Sequence, residues 1–351
     1  MLFATKPKGY FVARNADQVL LARTSNPTES PVTIEALRSC AADDAAAMAA
    51  ALGELQPKKA PSGYLHAVCG VHPERQVIRR ATLELKRVKE PGYLEEACAT
   101  QLRIEPKDYV LAVLNANDGS DYDVAKATGK EVTVCGLRHD DIATTQEALL
   151  AAGIYPERLE LGAVAAIGAL TDVLTFAHSK SPTLLLEFGA EMTNSFIVSA
   201  NGLEAARPIG SGLQSMVPIV QKELGLKDEE AAAKLFYSGA FDFSGLGPAL
   251  IKKLLKELQA SIGFYEVQTG QSVGQLVCTQ LPPVLAWLQD AVANALGVTV
   301  LTVEFEPWLQ SRRIVLPETL RATVTDTRWL GLFGLMARFE GAHAENSPAK
   351  A

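Results

Sequence analysis

Residues 183–212 read TLLLEFGAEMTNSFIVSANGLEAARPIGSG, and this stretch decides the fold. An apolar strand over 183–188 carries Glu187 near its end and is followed at once by Gly189, where the backbone can turn closely. A second strand is expected over 194–200 and a third over 203–208. Asn201-Gly202 between them is the strongest short hairpin signal in the chain, because a type I′ turn needs positive φ at both central residues. Backbone N–H groups in the bend after Glu187 can form an anion-binding nest without any cationic side chain, with Thr193 and Asn194 as further donors. Gly210-Ser211-Gly212 leads into a helix N-terminus, a second place for a phosphate to sit. On these residues alone, an ordinary hairpin with flexible turns stands as an equal alternative.

Outward from the hairpin, the chain has 351 residues, of which 48% are hydrophobic, enough to bury a core in each of two compact domains. The charged fraction is 21% and the formal net charge is -7, a balance that argues against a nucleic-acid partner. Five cysteines, Cys40, Cys69, Cys98, Cys135 and Cys278, are scattered without a Cys-x-x-Cys pair, which suits reduced thiols in a cytoplasmic compartment. The first residues, MLFATKPKGYFVAR, contain no long apolar run, and the most apolar internal run, 161–170, is too short to span a bilayer. The expectation is a globular protein without a secretion signal or membrane anchor.

Before the hairpin, short strands are expected over 10–13 and 19–22, then a Pro, Ser and Thr-rich connection over 24–33 and an alanine-rich helix over 43–55. A compact α+β unit is read over 64–138, with strands at 64–71, 76–85, 109–114 and 131–137 and a helix at 93–103. Helices at 144–152 and 163–176 follow, the first stopped by Gly153, and 178–182 is the expected hinge. After the hairpin, helices are expected at 214–224, 228–236, 248–269, 282–296 and 326–339, with strands at 275–279 and 298–303. The resulting division is a first lobe over 1–180 with an inserted subdomain over about 63–142, a second lobe over 181–340 with a helical subdomain over about 213–272, and a flexible tail over 341–351. No repeat of fixed period is evident.

Several common chemistries are absent from the sequence. There is no G-x-S-x-G elbow, no H-E-x-x-H and no complete P-loop; Gly129-Lys130 lacks the upstream glycine and the following Ser or Thr. His66, Cys69 and His72 are close in sequence, but His66 and Cys69 point to opposite faces of a strand and no fourth ligand is evident, so no metal site is expected. Residues 58–89 are rich in Lys and Arg, including Arg75, Arg79, Arg80, Lys86 and Arg87. A solvated face is the plainer reading of this run and a docking surface the sharper one.

The order of these features resembles the actin-like ATPase superfamily and, within it, the PilM family of type IV pilus assembly proteins, relatives of the FtsA family. Glu187 to Asn194, EFGAEMTN, looks like the second phosphate motif, usually D-I-G-x-x-x-T-N, and 210–230 continues like the glycine-led helix and the L-G-L-x-x-E-E-A segment. LQASIGFYEVQ at 258–268 resembles the long helix ending in S-x-x-F/Y-x-x-x-Q. Residues 77–85 with 91–101 are similar to the strand and helix of the inserted subdomain, and ALLAAGIYPERLELGA at 148–163 to the exit from it. The resemblance covers nearly the whole chain. It implies an α/β, two-lobed actin-like (ribonuclease H-like) fold with an inserted α+β subdomain in the first lobe.

What the resemblance implies about nucleotide is divided. It would place a cofactor against Glu187, Gly189, Thr193, Asn194, Gly210, Ser211 and Gly212, with no catalytic residue assigned. Yet the first phosphate loop, D-x-G-x-[ST] in nucleotide-binding members, is here YFVARNADQV over 10–19, and the adenosine glycines are replaced by Gln280-Leu281-Pro282-Pro283 after Thr279. Glu187 for aspartate moves the carboxylate out by roughly 1.5 Å, enough to disturb an in-line water. The resemblance with these departures therefore implies a cytoplasmic scaffold with weak or absent ATP binding, no cofactor expected and no meaningful hydrolysis. It would hold the N-terminal tail of a PilN-type membrane protein in a groove between the inserted subdomain and the rest of the first lobe, among the other inner-membrane components of a pilus machine. The rival is an active actin-like protein using ATP and Mg, which polymerises or switches with nucleotide. A sugar kinase of the same superfold lacks a convincing catalytic-aspartate context.

Overall fold

The computed structural model describes residues 8–56, 63–116, 119–126 and 129–344, with side chains described as far as residue 337. The strands are β1 (Gly9–Arg14), β2 (Gln18–Thr24), β3 (Val32–Ala41), β4 (Leu65–Val71), β5 (Val77–Thr82), β6 (Tyr109–Asn115), β7 (Glu131–Arg138), β8 (Ile154–Leu161), β9 (Thr183–Phe188), β10 (Thr193–Ser199), β11 (Gly202–Ile209), β12 (Gln275–Cys278), β13 (Thr299–Val300) and β14 (Ile314–Val315). The helices are α1 (Ala45–Leu55), α2 (Tyr93–Ala97), α3 (His139–Ala151), α4 (Gly162–Phe176), α5 (Val217–Leu224), α6 (Glu229–Phe236), α7 (Gly247–Thr269), α8 (Trp287–Leu296), α9 (Phe305–Ser311), α10 (Glu318–Arg321) and α11 (Trp329–Ala344).

The strands form three sheets. The first-lobe sheet runs β14-β3-β2-β1-β4-β8, the second-lobe sheet β11-β10-β9-β12-β13, and a small sheet β5-β7-β6 belongs to the insert. Both large sheets follow one plan. An antiparallel meander, β1-β2-β3 or β9-β10-β11, is extended by parallel strands, β4 and β8 on β1, β12 and β13 on β9. The two halves thus repeat in topology without a sequence period.

Alternation along the strands explains why both faces of each large sheet are covered. Phe11 and Ala13 face the layer made by α4 and α11, whereas Val12 faces α1 through Met48, Leu52 and Leu55. In β9, Leu185 faces the same α4 layer, while Leu184 and Leu186 pack towards the helices α5 to α8. The helix pair α4 and α11 therefore lies between the lobes and is shared by them. Small residues permit its closeness: a Cβ added to Gly334 would lie 2.3 Å from the carbonyl oxygen of Ala165.

Local signals account for many boundaries. Asp228 caps α6 by accepting a hydrogen bond from the Ala231 N–H at 2.8 Å, an arrangement worth about 1 kcal/mol. Gly225, Gly270 and Gly297 stop α5, α7 and α8 in the left-handed region. Pro248 sits in the first turn of α7, where its missing N–H costs nothing.

The structure corrects several sequence expectations. The compact unit read from residue 64 does not hold together: β4 pairs with β1 and β8 in the first-lobe sheet, so the small sheet begins at Val77. A ten-residue strand, β3, begins inside the expected 24–33 connection and runs on through 34–41, which lacked an assignment; its buried residues Val32, Ile34, Ala36 and Leu37 break strict alternation at a bulge. Assignment of 181–340 wholly to the second lobe also fails. β14 pairs with β3, and Trp308, Trp329, Leu330 and Phe333 bury in the core with α4, so the chain returns to the first lobe by Phe305. Helix α11 runs to Ala344, past the start of the expected tail; 345–351 lie outside the described residues, as do 57–62 within the expected break after α1. At the hairpin tip neither Ala200 nor Asn201 has positive φ; only Gly202 does, at 112°. The turn is not type I′, because the paired residues are Ser199 and Gly202, and the glycine stands at the start of the return strand.

Candidate functional site

The hairpin meets the first lobe at the loop between β4 and β5. Glu187, 3% exposed, ends its side chain among residues drawn from both lobes. His72 lies with Nδ1 2.9 Å from Glu187 Oε1, and Gln76 donates from Nε2 to Glu187 Oε2 at 2.8 Å. On the far side of the imidazole, His72 Nε2 is 3.3 Å from Gln280 Nε2, and Asn15 Nδ2 donates to Gln280 Oε1 at 2.7 Å. The roles run in one direction. Asn15 donates to Gln280, Gln280 to His72 Nε2, and His72 Nδ1–H to the Glu187 carboxylate. Asn15 comes from the β1–β2 turn, Gln280 from the segment after β12 and Glu187 from β9, so one hydrogen-bonded chain joins all three segments in which the resemblance would place nucleotide motifs.

The nest itself is filled. Glu74 Oε1 accepts a short hydrogen bond from the Ala190 N–H and another from the Glu191 N–H at 3.2 Å. Gly189 makes room for it: an added Cβ there would lie 2.9 Å from both Glu74 Oε1 and the Met192 carbonyl oxygen. Around Glu187, Gly189, Asn194, His72, Gln76 and Gln280 the remaining cavity is about 40 Å³. That is room on the scale of a water molecule, whereas drug-sized ligand sites run to roughly 300–1,000 Å³.

Of the residues singled out in the sequence, Glu187, Gly189 and Asn194 line this cavity, and Thr193, Gly210, Ser211 and Gly212 do not. Thr193 is fully buried and its Oγ1 donates to the Ser211 carbonyl at 2.7 Å, so it is turned away from the nest rather than toward an anion. Ser211 pairs with Ser215, Oγ to Oγ 3.0 Å, and the Gly210 carbonyl accepts from Lys253 Nζ at 2.9 Å. The N–H groups after Gly212 are spent on the hairpin, Leu213 donating to the Gly189 carbonyl and Gln214 to that of Ala190, each at 2.9 Å. They are not open to a phosphate, which corrects the expectation of a second anion place there. His72, Glu74 and Gln76 escaped the sequence reading as site residues, since they lie over a hundred positions from the hairpin and belong to no motif.

A wider part of the cleft, about 320 Å³, lies beyond Asn15 and Gln280 and is walled by Pro282, Pro283 and Arg328. Burial acts to raise the carboxyl of Asp326 at its margin, but the hydrogen bonds and charge of Arg328 outweigh it and hold the group below the usual aspartate range. Beneath the site, burial pushes the Cys69 thiol up to about 12, and burial with Asp290 raises Cys278, so neither is poised as a thiolate. Among the described residues no three His, Cys, Asp or Glu side chains group as metal ligands. His66 pairs on the surface with Glu157 at 3.1 Å.

A second feature lies between the insert and the first lobe. Alternation on β6 sends Leu111 and Val113 towards the insert core and leaves Val110, Ala112 and Leu114 on the opposite face. That face, with Leu137 of β7, Leu159 and Leu161 of the edge strand β8, and Ile142 of α3, bounds a groove of about 950 Å³. Val110 is 52% exposed within it. The groove continues past Leu114, Cys135 and Val164 into a recess of about 280 Å³ that reaches α4 and the Asn201-Gly202 turn. Of the insert's basic residues, Arg87 is tied to Glu90 and Glu96 at 3.1 and 2.8 Å and Arg80 to Glu131 and Glu204 at 3.7 and 3.8 Å, whereas Arg79 donates to the Ile78 carbonyl at 2.8 Å and burial lowers its pKa.

Among solved structures, the PilM-PilN type IV pilus biogenesis complex is similar over 96% of this chain and 99% of that chain, with a TM-score of 0.67 at 19% identity. The chain has a two-lobed, actin-like fold. Looser likenesses are the cytoplasmic domain of EpsL, an inner-membrane component of the type II secretion system of Vibrio cholerae (10% identity, 82% and 95% coverage, TM-score 0.39), and the ethanolamine utilization protein EutJ from Carboxydothermus hydrogenoformans (11%, 95% and 90%, 0.44). No protein-family model and no curated protein sequence matches the chain. Among the described residues, no helix of this actin-like chain is long and apolar enough to cross a membrane.

Proposed function

We propose that this chain is a PilM-like scaffold of a type IV pilus inner-membrane assembly complex, and that the groove between the insert and the first lobe receives the N-terminal tail of a PilN-type membrane protein. The groove carries the reading. It is open and carries apolar side chains of β6 and β8 beside the polar Gln146, Arg158 and Glu160, which suits an extended peptide whose alternate side chains dock on the apolar positions. The similarity in fold to a structure described as a PilM-PilN complex supports the choice of partner. Such a protein acts on the cytoplasmic side of the inner membrane and is held there by its partner. The test is biolayer interferometry with an immobilised PilN-tail peptide from the same organism; saturable binding is expected, and its absence at tens of micromolar would end the proposal.

On this reading the scaffold neither holds nor hydrolyses ATP. Three features support that: the 40 Å³ cavity, the carboxylate on the nest and the prolines after Gln280. A nucleotide present at a hundred times its dissociation constant would stabilise the protein by about 2.7 kcal/mol. A melting curve with millimolar Mg-ATP should therefore superimpose on the curve without it. An upward shift of several degrees would instead favour a nucleotide-dependent actin-like protein.

A further inference from the structure

We propose that Glu74 is a built-in ligand of the hairpin's anion nest, its carboxylate standing where a phosphate group would otherwise be held and fastening the first lobe to the second. Two consecutive N–H groups, those of Ala190 and Glu191, converge on the single oxygen Glu74 Oε1, which is how a nest holds an anionic oxygen. Gly189 gives the carboxylate its approach, since a side chain there would stand in its way. The other donors that could have served an outside anion, the N–H groups of Leu213 and Gln214, are already bonded to the Gly189 and Ala190 carbonyls.

Two physical effects favour the internal ligand over a free one. Glu74 sits in the five-residue connection between β4 and β5, so its binding is intramolecular and its effective concentration is on the order of millimolar or higher. An incoming phosphate would have to displace it and then lie in the same small cavity as Glu187, a second carboxylate. A phosphate carries more negative charge than the Glu74 carboxylate it would displace, so its repulsion by Glu187 is the larger. The same loop contributes His72 and Gln76 to Glu187, so nest and hydrogen-bonded chain act as one clasp across the cleft. Glu74 replaces a dissociable ligand with a permanent one.

The proposal concerns the nest alone and does not depend on what the groove binds, so its failure and that of the scaffold reading are separable. The experiment is amide hydrogen exchange on the full-length chain and its Glu74→Ala and Glu74→Gln variants, with and without inorganic phosphate. In Glu74→Ala the amides of Ala190 and Glu191 should exchange about tenfold faster, a change of about 1.4 kcal/mol in local protection. Phosphate should slow them again in that variant while leaving the wild type unchanged. Glu74→Gln keeps the shape and an uncharged acceptor and should fall between. Peptides from β9 and β12 report whether each variant retains its fold. Unchanged exchange at 190 and 191 in a folded Glu74→Ala protein, or equal protection of wild type and variant by phosphate, would overturn the assignment.

Discussion

Gly212→Ala should lower the stability of the protein by about 3 kcal/mol or more, a loss of roughly 4 °C or more in melting temperature for a chain of this length. The reason is space rather than torsion. Gly212 has φ -105° and ψ -171°, an extended conformation open to any residue. A methyl group on it, however, would lie 2.4 Å from the Ala190 carbonyl oxygen and 2.5 Å from the Met192 N, both backbone atoms that cannot rotate aside. Accommodating it means parting the chain after the hairpin from the Gly189–Met192 bend and losing the hydrogen bonds of Leu213 and Gln214 across that seam. Gly210 supplies the control: a Cβ there meets nothing within 4 Å, and Gly210→Ala should stay within about 0.5 kcal/mol of wild type. Thermal denaturation of the two variants side by side decides it; equal effects would refute the steric argument.

The second large effect is on binding. Ala112→Arg should weaken the PilN-tail peptide about a hundredfold, close to 2.7 kcal/mol, while the melting temperature moves by no more than about 1 °C. Ala112 is exposed on the groove face of β6, so the long side chain has solvent to enter and disturbs no packed neighbour. Extended along the groove, it takes the space an apolar anchor would fill and places a charge where desolvation is costly. Glu223→Arg, on exposed surface of α5 in the other lobe, should bind as the wild type does. Interferometry with both variants reads the difference, and a groove variant that binds normally would move the tail elsewhere.

Much of the fold was legible because strands and helices here carry strong local signals. Residues 183–188 are apolar at every position but Thr183 and Glu187, as a strand covered on both faces must be, and 228–236 announce a helix through Asp228 and the acidic first turn. What could not be read is pairing between distant segments. Whether β4 joins the insert or the first-lobe sheet depends on β1 and β8, which lie about fifty residues before it and ninety after it. The return of Trp308 and α11 to the first lobe depends on α4, in a helical pattern that any apolar surface would satisfy.

The site divides in the same way. Glu187 and Gly189 could be found from the hairpin, since a carboxylate followed by glycine at a strand end has a local geometry. That Asn15 and Gln280 stand in segments without the glycines of the nucleotide motifs was also visible in the sequence. That these two side chains meet each other, and that His72 lies between Gln280 and Glu187, is a property of the closed cleft. No single segment encodes it. Glu74 was the hardest to see, because a carboxylate in a turn usually faces water and only the tertiary structure brings the N–H groups of Ala190 and Glu191 to it.

The position of α11 has a consequence for how the protein is made. Residues 183–300 form the second-lobe sheet and its helices as one continuous stretch, but the first lobe needs β14 and α11, the last elements of the described chain, to cover β3 and α4. During synthesis from the N-terminus, the first 180 residues therefore emerge with that apolar face only partly covered, by α4, and must wait for residues 305–336. The second lobe can close while that wait continues. Released chains truncated before residue 329 should show a protease-resistant second lobe attached to a sensitive first one.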